Sequence, residues 1–268
     1  MSGGIIVREA RLSPRANGAR MGGYMLRKLR VTMIMGMFAA GLAGPSAEAR
    51  TIRFSGYEWE VKSGDGIGPG PCNWRDDNVW VDIKGQLHLK ISRIGNKWYS
   101  SEITSKRRFG FGRYQFQVDG RIDRLDRNVV FGMFNYPTPD VGTDGTNELD
   151  IELARWGNAN SPNLNFTLWP ATPNISNQGK SFFFDLGGTF TTHRFTWRKT
   201  AVLFQSLHGH RDDDRNEIAR WQFSPRRYAR FIPQKPMPVH LNLWLFGGKP
   251  PADGKEVELV VKSFTYRP

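Results

Sequence analysis

The run Asn147-Glu148-Leu149-Asp150-Ile151-Glu152 sets three carboxylates in alternation with two aliphatic side chains. In an extended chain successive side chains point to opposite faces, so Glu148, Asp150 and Glu152 share one surface while Leu149 and Ile151 share the other. Like charges in neighbouring positions of one face repel, and at least one of them titrates late. A protonated acid held beside an ionised one is the arrangement that glycoside hydrolysis needs.

Two other readings stay open at this point. An acidic strand face is often a plain solvated surface, although such clustering is less expected on a chain of net charge +13. Alternating carboxylates also suit Ca²⁺ or Mg²⁺. The run lacks the turn glycine and the Asn/Asp-rich loop that accompany such ligands, so a cation site ranks below catalysis.

The acids need strands to hold them and neighbours to bind a substrate. Period-two alternation recurs along the chain: Leu87, Leu89 and Ile91; Tyr114, Phe116 and Val118; Phe195 and Trp197; Val257, Leu259 and Val261. Gly, Pro and Asn turns bound these runs, and no amphipathic helix of more than a few turns is evident. Several strands oppose an aliphatic face to a polar or aromatic one. Val239, Leu241, Leu243 and Leu245 face one way, and His240, Asn242, Trp244 and Phe246 the other. Asn165, Thr167 and Trp169 oppose Leu164, Phe166 and Leu168, and Trp98, Ser100, Glu102 and Thr104 share a face. Laid beside the acids in one sheet, these faces make a carboxylate centre flanked by indoles, amides and hydroxyls. Sugars stack their C–H faces on such rings and hydrogen-bond to such groups. This pattern assigns Trp169 and Trp244 to a groove and Trp197 to the core.

Composition agrees with an all-β chain. With 268 residues, 39% hydrophobic content, and 29 Gly and 16 Pro spread without a period, one β-rich domain over residues 50–268 is expected. Residues 1–49 read as an N-terminal extension and secretory signal peptide. A positive segment, Met25 to Arg30, precedes the apolar stretch Val31 to Leu42, and Ala47-Glu48-Ala49 supplies the small residues of a cleavage site near Ala49. Met1, Met21 and Met25 are alternative starts. No Cys follows the apolar stretch, so no lipid anchor is indicated, and a secreted or periplasmic location is expected. Cys72, the only cysteine, can form no intramolecular disulfide and reads as a small buried filler. Residues 1–49 carry seven Lys/Arg and two acids, a net five of the thirteen positive charges, which leaves +8 on the rest. The densest basic group, Arg226, Arg227 and Arg230, sits in no recognisable nucleic-acid module, so a solvated surface is expected and nucleic acid is not.

Glu148-Leu149-Asp150-Ile151-Glu152 resembles the active-site signature of glycoside hydrolase family sixteen, the laminarinase, lichenase and xyloglucan endotransglycosylase group. Ser101 to Lys106 with Phe109 to Tyr114, Gly85 to Leu89, and Met237 to Trp244 resemble further segments of that family, in the same order over residues 57–266. The resemblance implies a β-jelly-roll sandwich of two curved antiparallel sheets with a concave substrate cleft. It implies a retaining endo-β-glycan hydrolase, a β-glucanase, with Glu148 as nucleophile, Glu152 as acid and base, and Asp150 tuning the nucleophile. Glu102, Phe134, Tyr136, Trp169, Asn242 and Trp244 match substrate-contacting positions, and Trp156 is a further cleft-edge ring. Thr104 and Thr167 depart from the lichenase pattern, where Arg and Asn are usual. The uninterrupted Asp150–Glu152 spacing resembles the lichenase and xyloglucan-active members and not the bulged laminarinases, which points to a β-glucan with some 1,4 linkages. A monomer acting on polysaccharide is expected, with no cofactor required for catalysis. A structural Ca²⁺ is implied at no identified site, and no metal is placed among the site residues. A transglycosylase on the same residues and a non-catalytic carbohydrate-binding protein on the same scaffold are the alternatives.

Overall fold

Strands with one apolar face must bury it against another layer, and here two sheets do so for each other. The computed structural model describes residues 8–9 and 49–268. Apart from residues 8–9 and Ala49, the extension and signal peptide expected over residues 1–49 lie outside the described residues. One sheet has nine strands, in the order Arg8–Glu9, Gln178–Phe183, Leu164–Trp169, Glu148–Leu153, Val129–Asn135, Met237–Leu245, Ser101–Phe109, Tyr57–Val61 and Thr51–Phe54. The second runs Glu217–Phe223, Val202–His208, Phe190–Trp197, Gly112–Asp119, Val257–Arg267, Leu87–Ile94 and Val79–Val81, with Lys97–Tyr99 joined to Leu87–Ile94. Neighbouring strands pair antiparallel throughout both sheets. Among the described residues the one α-helix is a single turn, Tyr228–Phe231. This is the all-β jelly-roll sandwich that the resemblance implies.

The core lies between the sheets and is filled by the aliphatic halves of the alternating strands. Leu149, Ile151 and Leu153 of the acidic strand are fully buried beside Phe131, Met133, Leu241 and Leu243 of its neighbours, and Phe116, Phe195, Trp197 and Phe204 come from the facing sheet. Burying one such side chain contributes roughly 1.5–3 kcal/mol, so a one-residue slip of the acidic strand, which would bring its acids inward, is strongly disfavoured. Trp197 is in the core, as its alternation with Phe195 predicts, and its Nε1–H donates to Pro233 O at 2.9 Å. Cys72 is buried too, its Sγ 3.2 Å from Leu245 O.

One expected strand is broken. Trp98 does not share a face with Glu102 and Thr104, because the chain changes sheets at Ser100. Lys97–Tyr99 pairs with Leu87–Ile94 of the second sheet, whereas Ser101–Phe109 joins the first. Trp98 therefore packs on the core instead of the outer face. Phe246 also leaves the expected register, since its strand ends at Leu245 and Phe246 opens a turn, Phe246–Gly248.

Candidate active site

The outer face of the nine-stranded sheet carries the site, and the ladder decides what stands beside each acid. Asn147, which precedes the acidic strand, has φ +54°. Asn tolerates this left-handed conformation better than most residues, and it turns the chain into the strand. From there the register is unbroken: Glu148 pairs with Trp169, Asp150 with Thr167, and Glu152 with Asn165. On the other side Asp150 pairs with Phe134 and Glu152 with Gly132. No bulge separates Asp150 from Glu152, as the spacing predicts.

Glu148, Asp150 and Glu152 lie where two halves of one groove meet. One half, of about 480 Å³, is lined by Glu102, Phe134, Tyr136, His240, Asn242 and Trp244 along with the acids. The other, of about 450 Å³, adds Trp156, Asn165, Thr167, Trp169 and Lys180. An extended chain laid across the sheet would thus pass over the acids with lining residues on both sides. All six substrate-contacting residues expected from sequence line this groove, and so does Trp156. Trp156 has φ +53°, and its ring packs edge-on against Phe246 at 5.5 Å.

Burial dominates the electrostatics of the acids. Asp150 is only 2% exposed, and its Oδ2 has no hydrogen-bond partner among the described residues. Desolvation first, then the charges of Glu148 and Glu152, hold its carboxyl well above the usual range. Desolvation also raises Glu148, to about 8, with Glu152, Asp144 and Glu102 adding to it, while a hydrogen bond to Asp150 acts in the opposite sense. Glu152 is pushed up to about 7 by burial. Three acids so placed titrate as a set, and near neutrality the set holds fewer than three negative charges. The hydrogen bond between Asp150 and Glu148 raises the former and lowers the latter.

Glu102 is the opposite case. Burial would raise it, but hydrogen bonding and charge from His240 and Lys62 outweigh that cost and hold its carboxyl below the usual range. Lys62 Nζ lies 3.1 Å from Oε2 and His240 Nδ1 lies 3.2 Å from Oε1. Lys62 Nζ also donates to Gly68 O and lies 4.2 Å from the centre of the Trp74 ring. Tyr136 donates its hydroxyl to Asp144 Oδ1 at 2.6 Å. Asn242 lies across Gly132, and its Oδ1 is buried without a partner among the described residues.

Sequence reasoning passed over Lys62, Asp144, Lys180 and His240 as site residues. His240 carried a signal, since it alternates with Asn242 and Trp244 on one face. Lys62, which the fold brings to Glu102 from 40 residues away, carried none. Among the described residues no group of three or more His, Cys, Asp or Glu side chains could hold a metal ion, so the structural Ca²⁺ implied by the resemblance finds no such cluster.

Comparison with known proteins agrees with this geometry. The family model described as glycosyl hydrolases family 16 matches residues 70–259. A search of the curated proteins finds no match. Among solved structures, the chain is similar to the β-glucanase of Bacillus licheniformis, with 20% identity, a TM-score of 0.59, and 78% of this chain and 91% of that one covered. It is similar to a β-1,3-glucanase of Mycobacterium marinum at 20% identity and a TM-score of 0.57, covering 76% of this chain and 88% of that one. A protein of Mycobacterium tuberculosis described as an immunostimulatory antigen and pseudo β-1,3-glucanase matches at 21% identity and a TM-score of 0.58, with 76% and 88% covered. At such identities these structures speak for the fold alone.

Proposed function

The chain belongs to glycosyl hydrolase family 16, and from that premise we propose that it is a retaining endo-β-glycan hydrolase whose substrate is a β-glucan with some 1,4 linkages. The observation that carries the proposal is the placement of Glu148, Asp150 and Glu152 on one face of an unbulged strand, at the junction of two lined halves of an open groove.

In the first step Glu148 Oε attacks the anomeric carbon as the bond to the leaving oxygen breaks, and Glu152 transfers its proton to that oxygen. A covalent glycosyl ester on Glu148 and a shortened glycan result. Glu152, now ionised, takes a proton from water, whose oxygen displaces the ester at the same carbon. The second inversion restores the β configuration and regenerates both acids. Asp150 keeps its own proton on the Glu148 side and so favours the anionic nucleophile. Protonation of Glu152 removes one of the charges that oppose ionisation of Glu148, which suits the two residues to opposite protonation states. These side chains perform the chemistry without a cofactor. Export to the periplasm or the medium as a monomer fits a polymeric substrate.

Glu148→Gln tests the reading: turnover of mixed-linked β-glucan should vanish while oligosaccharide binding stays near wild type. If wild type and variant both bind and neither cleaves a broad glycan panel, the protein is a binding module. The likeness to a protein described as a pseudo-glucanase favours keeping that second reading in view, whereas a binding module gains nothing from a paired nucleophile and acid. Transfer of the glycosyl group to a sugar in place of water uses the same steps, and the aromatic lining of the Trp169 half would seat the acceptor.

A further inference from the structure

His240 is fixed from three directions on the outer face. Its ring stacks on Phe134, with centroids 5.0 Å apart and planes 24° apart, and meets Tyr136 edge-on at 5.9 Å. Nδ1 lies 3.2 Å from Glu102 Oε1 and 3.1 Å from Thr104 Oγ1. An ionised Glu102 can only accept, so the proton of that contact sits on Nδ1. Nε2 is then an acceptor in the neutral ring and a donor in the imidazolium, and a hydroxyl can answer either. Nε2 has no hydrogen-bond partner among the described residues, yet it is not among the buried unpaired atoms, and the ring lines the groove. Nε2 is therefore open to a ligand.

The charges around it restrict what that ligand is. Asp144, Glu148, Asp150 and Glu152 line the same half as Glu102. Lys62, the one Lys or Arg lining it among the described residues, is engaged by Glu102 and Gly68 O. A uronate or sulfate here would meet carboxylates with no free cation to offset them. A glycan hydroxyl instead meets Nε2 and Glu102.

We infer that His240 is a specificity-determining residue, which orients Glu102 through Nδ1–H and hydrogen-bonds a hydroxyl of an uncharged glycan through Nε2. The inference rests on the glycan-hydrolase reading of the groove and assigns its +8 surroundings no part in substrate choice.

Titration calorimetry on Glu148→Gln tests it, using neutral β-linked glucotetraoses that include a mixed 1,3-1,4 tetraose, their single-deoxy analogues, and a uronic-acid tetrasaccharide. At least one neutral tetraose should bind, and the uronate at least about tenfold more weakly. Adding His240→Phe, which preserves the stack on Phe134, should weaken the neutral ligand about five- to tenfold, the worth of one or two hydrogen bonds. His240→Gln should recover part of that loss. One deoxy analogue should bind less well than its parent to the His240 protein and equally well to His240→Phe, a coupling that a merely structural role would not produce. Unchanged affinity in His240→Phe, equal deoxy losses in both backgrounds, a uronate that binds as well as glucose polymers, or no binding of any neutral tetraose would each overturn the inference. Turnover is read separately: His240-dependent binding by a wild type that cleaves nothing refutes the hydrolase and leaves this role of His240 standing.

Discussion

Asn242 lies so close over Gly132 that a Cβ on the glycine would stand 2.5 Å from Oδ1. The glycine faces Glu152 across one pair and Asn242 across the other, so its missing side chain is what lets the amide reach toward the acids. Gly132→Ala should displace Asn242, lowering kcat/KM by about tenfold or more and stability by roughly 1–3 kcal/mol, the usual cost of overpacking. Kinetics on β-glucan and thermal melting check both. Wild-type kinetics in this variant would remove Asn242 from the substrate-binding set.

Asp150→Asn should make the protein more stable at pH 8 and much less active. A carboxyl whose folded pKa is raised binds protons more readily folded than unfolded, so its burial costs stability increasingly as pH rises above the unfolded value of about 4. The amide removes that cost. A gain of about 1 kcal/mol or more is expected at pH 8 and almost none at about pH 3, where the acid is neutral in both states. Equal melting shifts at the two pH values would contradict the raised pKa.

Activity should fall on the alkaline side as Glu152 loses the proton it delivers, and on the acid side as Glu148, which burial raises to about 8, takes one up. Both limbs are measured as kcat/KM against pH. Glu152→Gln should lose turnover of natural glycans by several orders of magnitude, yet keep the glycosylation step on an aryl glycoside whose leaving group needs no proton. An alkaline limb that survives in Glu152→Gln would assign it to another group.

Early product followed by NMR should hold the β configuration before mutarotation. Two displacements at one carbon require it. The α anomer appearing first would remove Glu148 as nucleophile and leave both acids to an inverting mechanism.

Trp169→Ala and Trp156→Ala should weaken long substrates more than short ones. Both rings lie in the half of the groove away from Glu102, and loss of a stacking ring costs roughly 1 kcal/mol or more. KM for the polymer should rise several-fold for each, and any glycosyl transfer to added oligosaccharide should drop further than hydrolysis. Equal losses on a substrate too short to reach that half would point to damage elsewhere in the fold.

Local alternation was sufficient to place the acids on one surface and Leu149 and Ile151 beneath them, because the side-chain period of an extended chain is two and burial decides which face turns inward. The same argument put Trp197 in the core and set Trp169 and Trp244 in the groove. It failed at Trp98, where alternation continues through Ser100 although the backbone passes from one sheet to the other. Pattern along a chain cannot register such a change, since each strand's partners are distant in sequence. Tertiary structure alone brought Lys62 to Glu102 and set His240 between Glu102 and Phe134. It also left Asp150 Oδ2 without a hydrogen-bond partner among the described residues. Contacts of that kind, the desolvation that raises the three acids, and the Lys62 and His240 partners that hold Glu102 down despite its own burial all depend on which strands become neighbours. Only the packing of the two sheets determines that.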